Sequence, residues 1–131
     1  MLTKEEWKEV LLNGGATLDV VMHNGKVISI TNPNYQSGYA VSIKGHELRV
    51  ETSISMELFE AYINLKKEVI QDNENARVGL WENEGYWYMD ISFIYTNLYN
   101  AGDAARINKQ KAIYSFKQKA SLDVNTLEVI K

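Results

Sequence analysis

Two histidines, a scatter of acids and a few glycine clusters are the residues in this chain that could do chemistry. His23 and His46 stand in expected turns, and Glu47 follows His46 directly. Together with Asp90 they would compose an acid–base set, in which imidazole and carboxylate exchange a proton near neutral pH. Nothing in the sequence brings the three together, and both histidines read as exposed turn residues. Two isolated histidines make neither an H-E-x-x-H pair nor another metal spacing. Asp72, Glu74 and Glu82 loosely follow a calcium loop, but an EF-hand needs glycine at its sixth position and an acid at its twelfth. Arg77 and Asn83 occupy those places. Asn13-Gly14-Gly15 lacks the further glycines and lysine of a phosphate loop, and no G-x-S-x-G occurs. With no cysteine there is no disulfide, thiolate zinc site or cysteine nucleophile. The chain therefore reads as non-enzymatic, with no catalytic residues, no cofactor and no metal.

Charge supplies the next signal. The net charge is −3, too mild to name a partner. From Glu47 to Asp103, eleven acids face four bases, a balance of −7. From Ala104 onward, six bases face two acids, a balance of +4. In the tail, Lys109, Lys111, Lys117 and Lys119 surround Tyr114 and Phe116, a composition that could contact phosphates and stack bases. A pI of about 5.4 and the lack of a helix-turn-helix or RNA-binding signature weigh against nucleic acid. The lysines read instead as guards on a terminal strand.

These residues hang on elements with clear local signals. Thr3 and Glu6 form a capping box and Leu2 with Trp7 a hydrophobic staple, predicting a helix over about residues 4–12 that Asn13-Gly14-Gly15 stops. Apolar alternation on both sides of His23-Asn24-Gly25-Lys26 predicts a hairpin. Further strands are expected in GYAVSI (38–43) and ELRVE. A main helix is expected over residues 52–71, with Leu58, Tyr62, Leu65 and Val69 as its core stripe and Phe59 beside them. ARVGLW, a Glu-Asn-Glu-Gly turn and YWYMDISFIY predict a second hairpin. A short third helix over NLYNAGDAARIN and strands in KAIYSF and ASLDV complete the chain. At 131 residues this is one α+β domain, a mainly antiparallel sheet with one main helix and two shorter ones. No membrane segment or signal peptide is visible, which suits a cytoplasmic protein.

The strand YWYMDISFIY concentrates the remaining information. Trp87, Met89, Ile91, Phe93 and Tyr95 share one face, expected to line the core. Tyr86, Tyr88, Asp90, Ser92 and Ile94 share the other, expected to be half wet. Amphipathic rings beside a charge suit an interface. Trp81, Glu82, Glu84, Tyr86, Tyr88 and Asp90 are therefore the expected partner-binding residues. Cross-strand aromatic packing is the plain alternative.

The segment from Ala76 to Val124 resembles the C-terminal half of small accessory proteins encoded by bacteriophages and other mobile elements. The features that carry it are Gly79 and Trp81, the Y-W-Y-M-D-I-S strand and N-K-Q-K-A-I-Y at 108–114, with G-Y-A-V-S-I-K-G-H-E at 38–47 adding to it. The motifs read as structural, with Gln110 binding backbone and Ala112, Ile113 and Tyr114 filling a core. The resemblance implies an origin and no reaction. Small phage proteins without catalytic groups often act by occupying a bacterial protein, as anti-CRISPR and related anti-defence proteins do. The expected function is thus protein binding, with a bacterial host protein as partner. The alternatives are a nucleic-acid binder using the C-terminal lysines and a homo-oligomeric accessory protein, such as a homodimer through the aromatic strand.

Overall fold

The computed structural model describes residues 1–51 and 53–130. Thr52, where the expected main helix begins, and Lys131 lie outside the described residues. The fold is α+β, as expected: an eight-stranded antiparallel sheet with four helices packed on it. The elements are α1 (Lys4–Leu12), β1 (Gly15–His23), β2 (Lys26–Thr31), β3 (Tyr39–Ser42), β4 (Leu48–Val50), α2 (Met56–Leu65), α3 (Lys67–Asp72), β5 (Ala76–Asn83), β6 (Tyr86–Tyr95), α4 (Leu98–Ile107), β7 (Ala112–Ser115) and β8 (Ala120–Asp123). Strands follow the order β2-β1-β5-β6-β3-β7-β8, with β4 also paired to β6. Among the described residues no helix is long and apolar enough to cross a membrane.

The chain gathers into two compact units, Met1–Asn34 with His46–Ile91, and Tyr35–Gly45 with the chain from Ser92 onward. In the first, Thr3 and Glu6 close the capping box at 3.1 and 2.9 Å, and Leu2 is buried below it. Trp7 packs its ring 5.8 Å from that of Phe59. Asn24 and Gly25 both take positive φ, the requirement of a type I′ turn, so β1 and β2 form the expected hairpin. The β5–β6 turn is tighter than expected. Strand pairing runs through Asn83, and Glu84-Gly85 alone reverse the chain with φ of 51° and 84°.

The expected main helix is two helices. Lys66 ends α2 at φ −98° and ψ 12°, and α3 resumes after it without a side-chain cap. Ser55 caps the start of α2 by accepting from the Leu58 N–H at 3.1 Å. Phe59, Tyr62, Ile63 and Ile70 are buried, while Leu58 and Leu65, two of the four stripe residues, are exposed at 37% and 71%. Both exposed leucines precede the break, so the difference lies in the phase of the stripe within α2, whose buried face is Phe59, Tyr62 and Ile63.

In the second unit, α4 packs on β3 and β7. Val41, Ala101, Ala105, Ile113, Leu122 and Val124 form its core, with Tyr39, Tyr95 and Leu98 against it. Asn97 caps α4 by accepting from the Tyr99 and Asn100 N–H groups. Gln110 does bind backbone, through a 3.4 Å bond to the Asn108 carbonyl, and Ile113 fills the core. Tyr114 does not, being 39% exposed with its ring edge-on to Phe116. Residues 128–130 cover the outer edge of β8, where the Ile130 N–H reaches the Ser121 carbonyl at 2.9 Å. Covering an edge in this way blocks its pairing with other chains.

Candidate protein-binding face at a hairpin tip

The two-residue turn at Glu84-Gly85 fixes what lies opposite what. Counting back from the turn puts Trp81 across from Tyr88 and Gly79 across from Asp90, side chains of each pair on one face. The rings of Trp81 and Tyr88 stack accordingly, 4.4 Å apart and 12° from parallel. On the other side of β6, β4 pairs Arg49 with Tyr88. The Arg49 guanidinium sits 4.6 Å over the Tyr86 ring and donates to the Glu51 carboxylate from Nε at 2.9 Å. A row of ring, ring and guanidinium thus crosses three strands, with Glu84 exposed in the turn beside it, while Glu82, across from Trp87, is exposed on the opposite face.

Exposure along this face falls from the turn to Ser92 and returns in part at Ile94, which is half-buried. Tyr86 is 36% exposed, Tyr88 is half-buried, and Asp90 and Ser92 are 6% and 2% exposed. The half-wet expectation holds at the tip and fails at Asp90 and Ser92. Alternation assigns a side chain to a face, and says nothing of how far along the strand that face meets water. On the other face Met89 and Ile91 are fully buried and Trp87, Phe93 and Tyr95 partly so, as expected of core-lining residues. Of the expected contact residues, Trp81, Tyr86 and Tyr88 share one face at the tip with Glu84 in the turn, and Glu82 is exposed at the tip on the other face. Asp90 lies beneath them.

The structure also draws together groups that the sequence leaves apart. Leu48 pairs with Met89, so Glu47 comes next to Asp90. Burial first, and the Asp90 charge second, raise the Glu47 carboxyl above its ordinary value. Tyr62 donates its hydroxyl to the His46 carbonyl at 2.5 Å. Burial, then Asp90 and Glu47, push that hydroxyl far up, so it stays protonated. His46 is half-buried rather than exposed, and its Nδ1 is buried without a hydrogen-bond partner. Burial and nearby Lys66 hold this imidazole below its ordinary value, hence neutral at pH 7. These residues make one electrostatic neighbourhood, yet no group of three or more His, Cys, Asp or Glu among the described residues could hold a metal ion.

Glu47 gives a test of that neighbourhood. Its folded-state pKa lies above the unfolded one, so its contribution is complete below the unfolded carboxylate range and is lost as pH rises through the raised value. At neutral pH the charged form beside Asp90 is a liability. Glu47→Gln is expected to stabilise the protein at pH 7 by roughly half a kcal/mol or less, since the side chain is exposed and screened. The gain should vanish near pH 4 in urea melts. Equal gains at both pH values would contradict the assignment.

The lysines of the basic tail fall into two pairs. Lys117 and Lys119 stand in the β7–β8 turn, whereas Lys109 and Lys111 lie at the opposite end of β7. Four strand residues separate the pairs by roughly 13 Å. Sequence reasoning also missed Arg49, because its place over Tyr86 depends on the register of a three-residue strand. No family model, no curated protein and no solved structure matches the chain.

Proposed function

We propose that this chain is a non-enzymatic accessory protein that binds a bacterial host protein through the β5–β6 tip. The observation that carries the reading is the stacked Trp81–Tyr88 pair continued by exposed Tyr86, with Glu84 in the turn and Glu82 exposed on the other face of the same tip. Stiff aromatic side chains bury area at small entropic cost and dominate binding energy at interfaces. Carboxylates at the rim choose a basic partner surface and speed its encounter. The balance of −7 from Glu47 to Asp103 acts in the same sense. An origin in phages or mobile elements rests on the resemblance of residues 76–124, and action against a bacterial defence protein on analogy with anti-CRISPR proteins.

The test compares wild type with Glu82→Lys/Glu84→Lys as baits in a bacterial lysate, read by quantitative mass spectrometry. Both residues are exposed, so the fold should survive. A basic protein held by wild type is expected to bind the variant roughly 10–100-fold more weakly. Retention of every captured protein at undiminished affinity would overturn the site.

A further inference from the structure

The C-terminal end of α4 and the chain just after β8 border a shallow, open depression of about 470 Å³ in the second unit. It is lined by Arg106, Lys109, Gln110, Lys111, Asp123, Val124 and Asn125. We propose that this concavity binds a small phosphorylated metabolite, with Arg106, Lys109 and Lys111 as the phosphate-recognising groups. It is separate from the hairpin-tip site and carries an activity that the protein-binding role does not need.

Three features favour a built site over solvated surface charge. The first is the fixed position of Arg106. Its Nη1 donates to the Val124 carbonyl at 3.0 Å and its Nη2 is paired with Asp103. A guanidinium carries five N–H groups, so those two bonds orient the fork and leave donors for a ligand. Holding the fork in advance spares a ligand the cost of ordering it.

The second feature is what the lysines do not serve. Cations near a helix C-terminus commonly complement its exposed carbonyls. Here backbone already takes them. The Asn108, Lys109 and Gln110 N–H groups donate to the carbonyls of Ala104, Arg106 and Ala105 at 3.0, 3.1 and 2.8 Å. This wrap requires Lys109 to adopt φ +55°, a position glycine fills without strain. Lys109 and Lys111 are exposed, and no ion pair among the described residues engages them.

The third feature is the chemistry of the lining. The acid within it, Asp123, is occupied as a turn cap, accepting from the Asn125 and Thr126 N–H groups at 2.8 and 3.1 Å. With Asp123 in the lining and Asp103 on the Arg106 fork, the three cations leave a net positive charge carried by the two lysines, which serve phosphate as point charges beside the arginine fork. No aromatic ring lines the concavity. A base therefore has nothing to stack on there, which favours a small phosphate ester over a single-stranded nucleic acid.

The test is an amide NMR titration of the full chain with inorganic phosphate at low salt, repeated with Lys109→Ala/Lys111→Ala. Saturable shifts confined to residues 106–111 and 123–125 are expected, with affinity in the variant falling about tenfold or more. Both substitutions are at exposed positions, and an otherwise unchanged spectrum will show that the variant is folded. Shifts that never saturate, or that are equal in the variant, would overturn the proposal. A parallel titration with a short single-stranded oligonucleotide distinguishes the other source of phosphate. Tighter binding there, with shifts spreading to Lys117 and Lys119, would assign the lysines to nucleic acid and overturn it too.

Discussion

Gly15→Ala is expected to lower the unfolding free energy by about 3–4 kcal/mol, among the largest single-residue losses in this protein. Gly15 begins β1 at φ +133°, opposite Trp81 of β5. An added Cβ would lie 2.0 Å from the Leu80 carbonyl oxygen and 2.6 Å from the Trp81 Cα. Both are backbone atoms, so no rotamer change relieves the overlap. Relief requires β1 and β5 to part where the Glu82 N–H reaches the Gly14 carbonyl at 2.9 Å. Gly14→Ala is the control. Its φ is +77° but nothing lies within 4 Å of an added Cβ, so only the left-handed backbone cost of about 1–2 kcal/mol applies. Urea melts that give the two variants equal losses would refute the close approach. Because Trp81 stands opposite Gly15, the same displacement should weaken the proposed partner binding.

Gly79→Ala is expected to cost about 2–3 kcal/mol for a different reason. A Cβ at Gly79 would meet Asp90 Oδ1 at 2.1 Å and Cγ at 3.1 Å. The obstacle is a side chain, but a short one that is 6% exposed and has little freedom to withdraw. The cost should therefore depend on Asp90. In an Asp90→Ala background, Gly79→Ala should lose less than about 1 kcal/mol, giving a coupling of more than 1 kcal/mol between the two positions. Additive losses would show that the carboxylate does not lie across Gly79. Asp90, expected among the contact residues, is buried against Gly79 and is not part of the exposed tip.

Much of this architecture was legible because turns announce themselves. Asn24-Gly25 and Glu84-Gly85 mark the two long hairpins, and β6 has the bounds that its alternation implies. The T-x-x-E box placed α1. The break at Lys66 was not legible, since neither glycine nor proline marks it and helical periodicity continues across it. At the candidate site, Tyr86, Glu82 and Glu84 were legible as exposed tip residues. The burial of Asp90 was not, for it depends on β4 and β5 flanking β6, and those neighbours are set by long-range pairing. The nearness of Glu47 to Asp90 has the same origin, as does the position of Arg49 over Tyr86. Local chemistry specifies turns and faces. Register, fixed by distant segments, decides which side chains meet.

Site-directed photo-crosslinking tests the proposed role most directly. A benzophenone amino acid replaces Tyr86 in one sample and Ile28, 60% exposed on the β1–β2 hairpin, in another. Illumination in a bacterial lysate should yield a discrete adduct with a basic protein from position 86, weakened by Glu82→Lys/Glu84→Lys and missing from position 28. Adducts of equal yield from both positions, or none from position 86 while a partner still co-purifies, would contradict recognition through the hairpin tip.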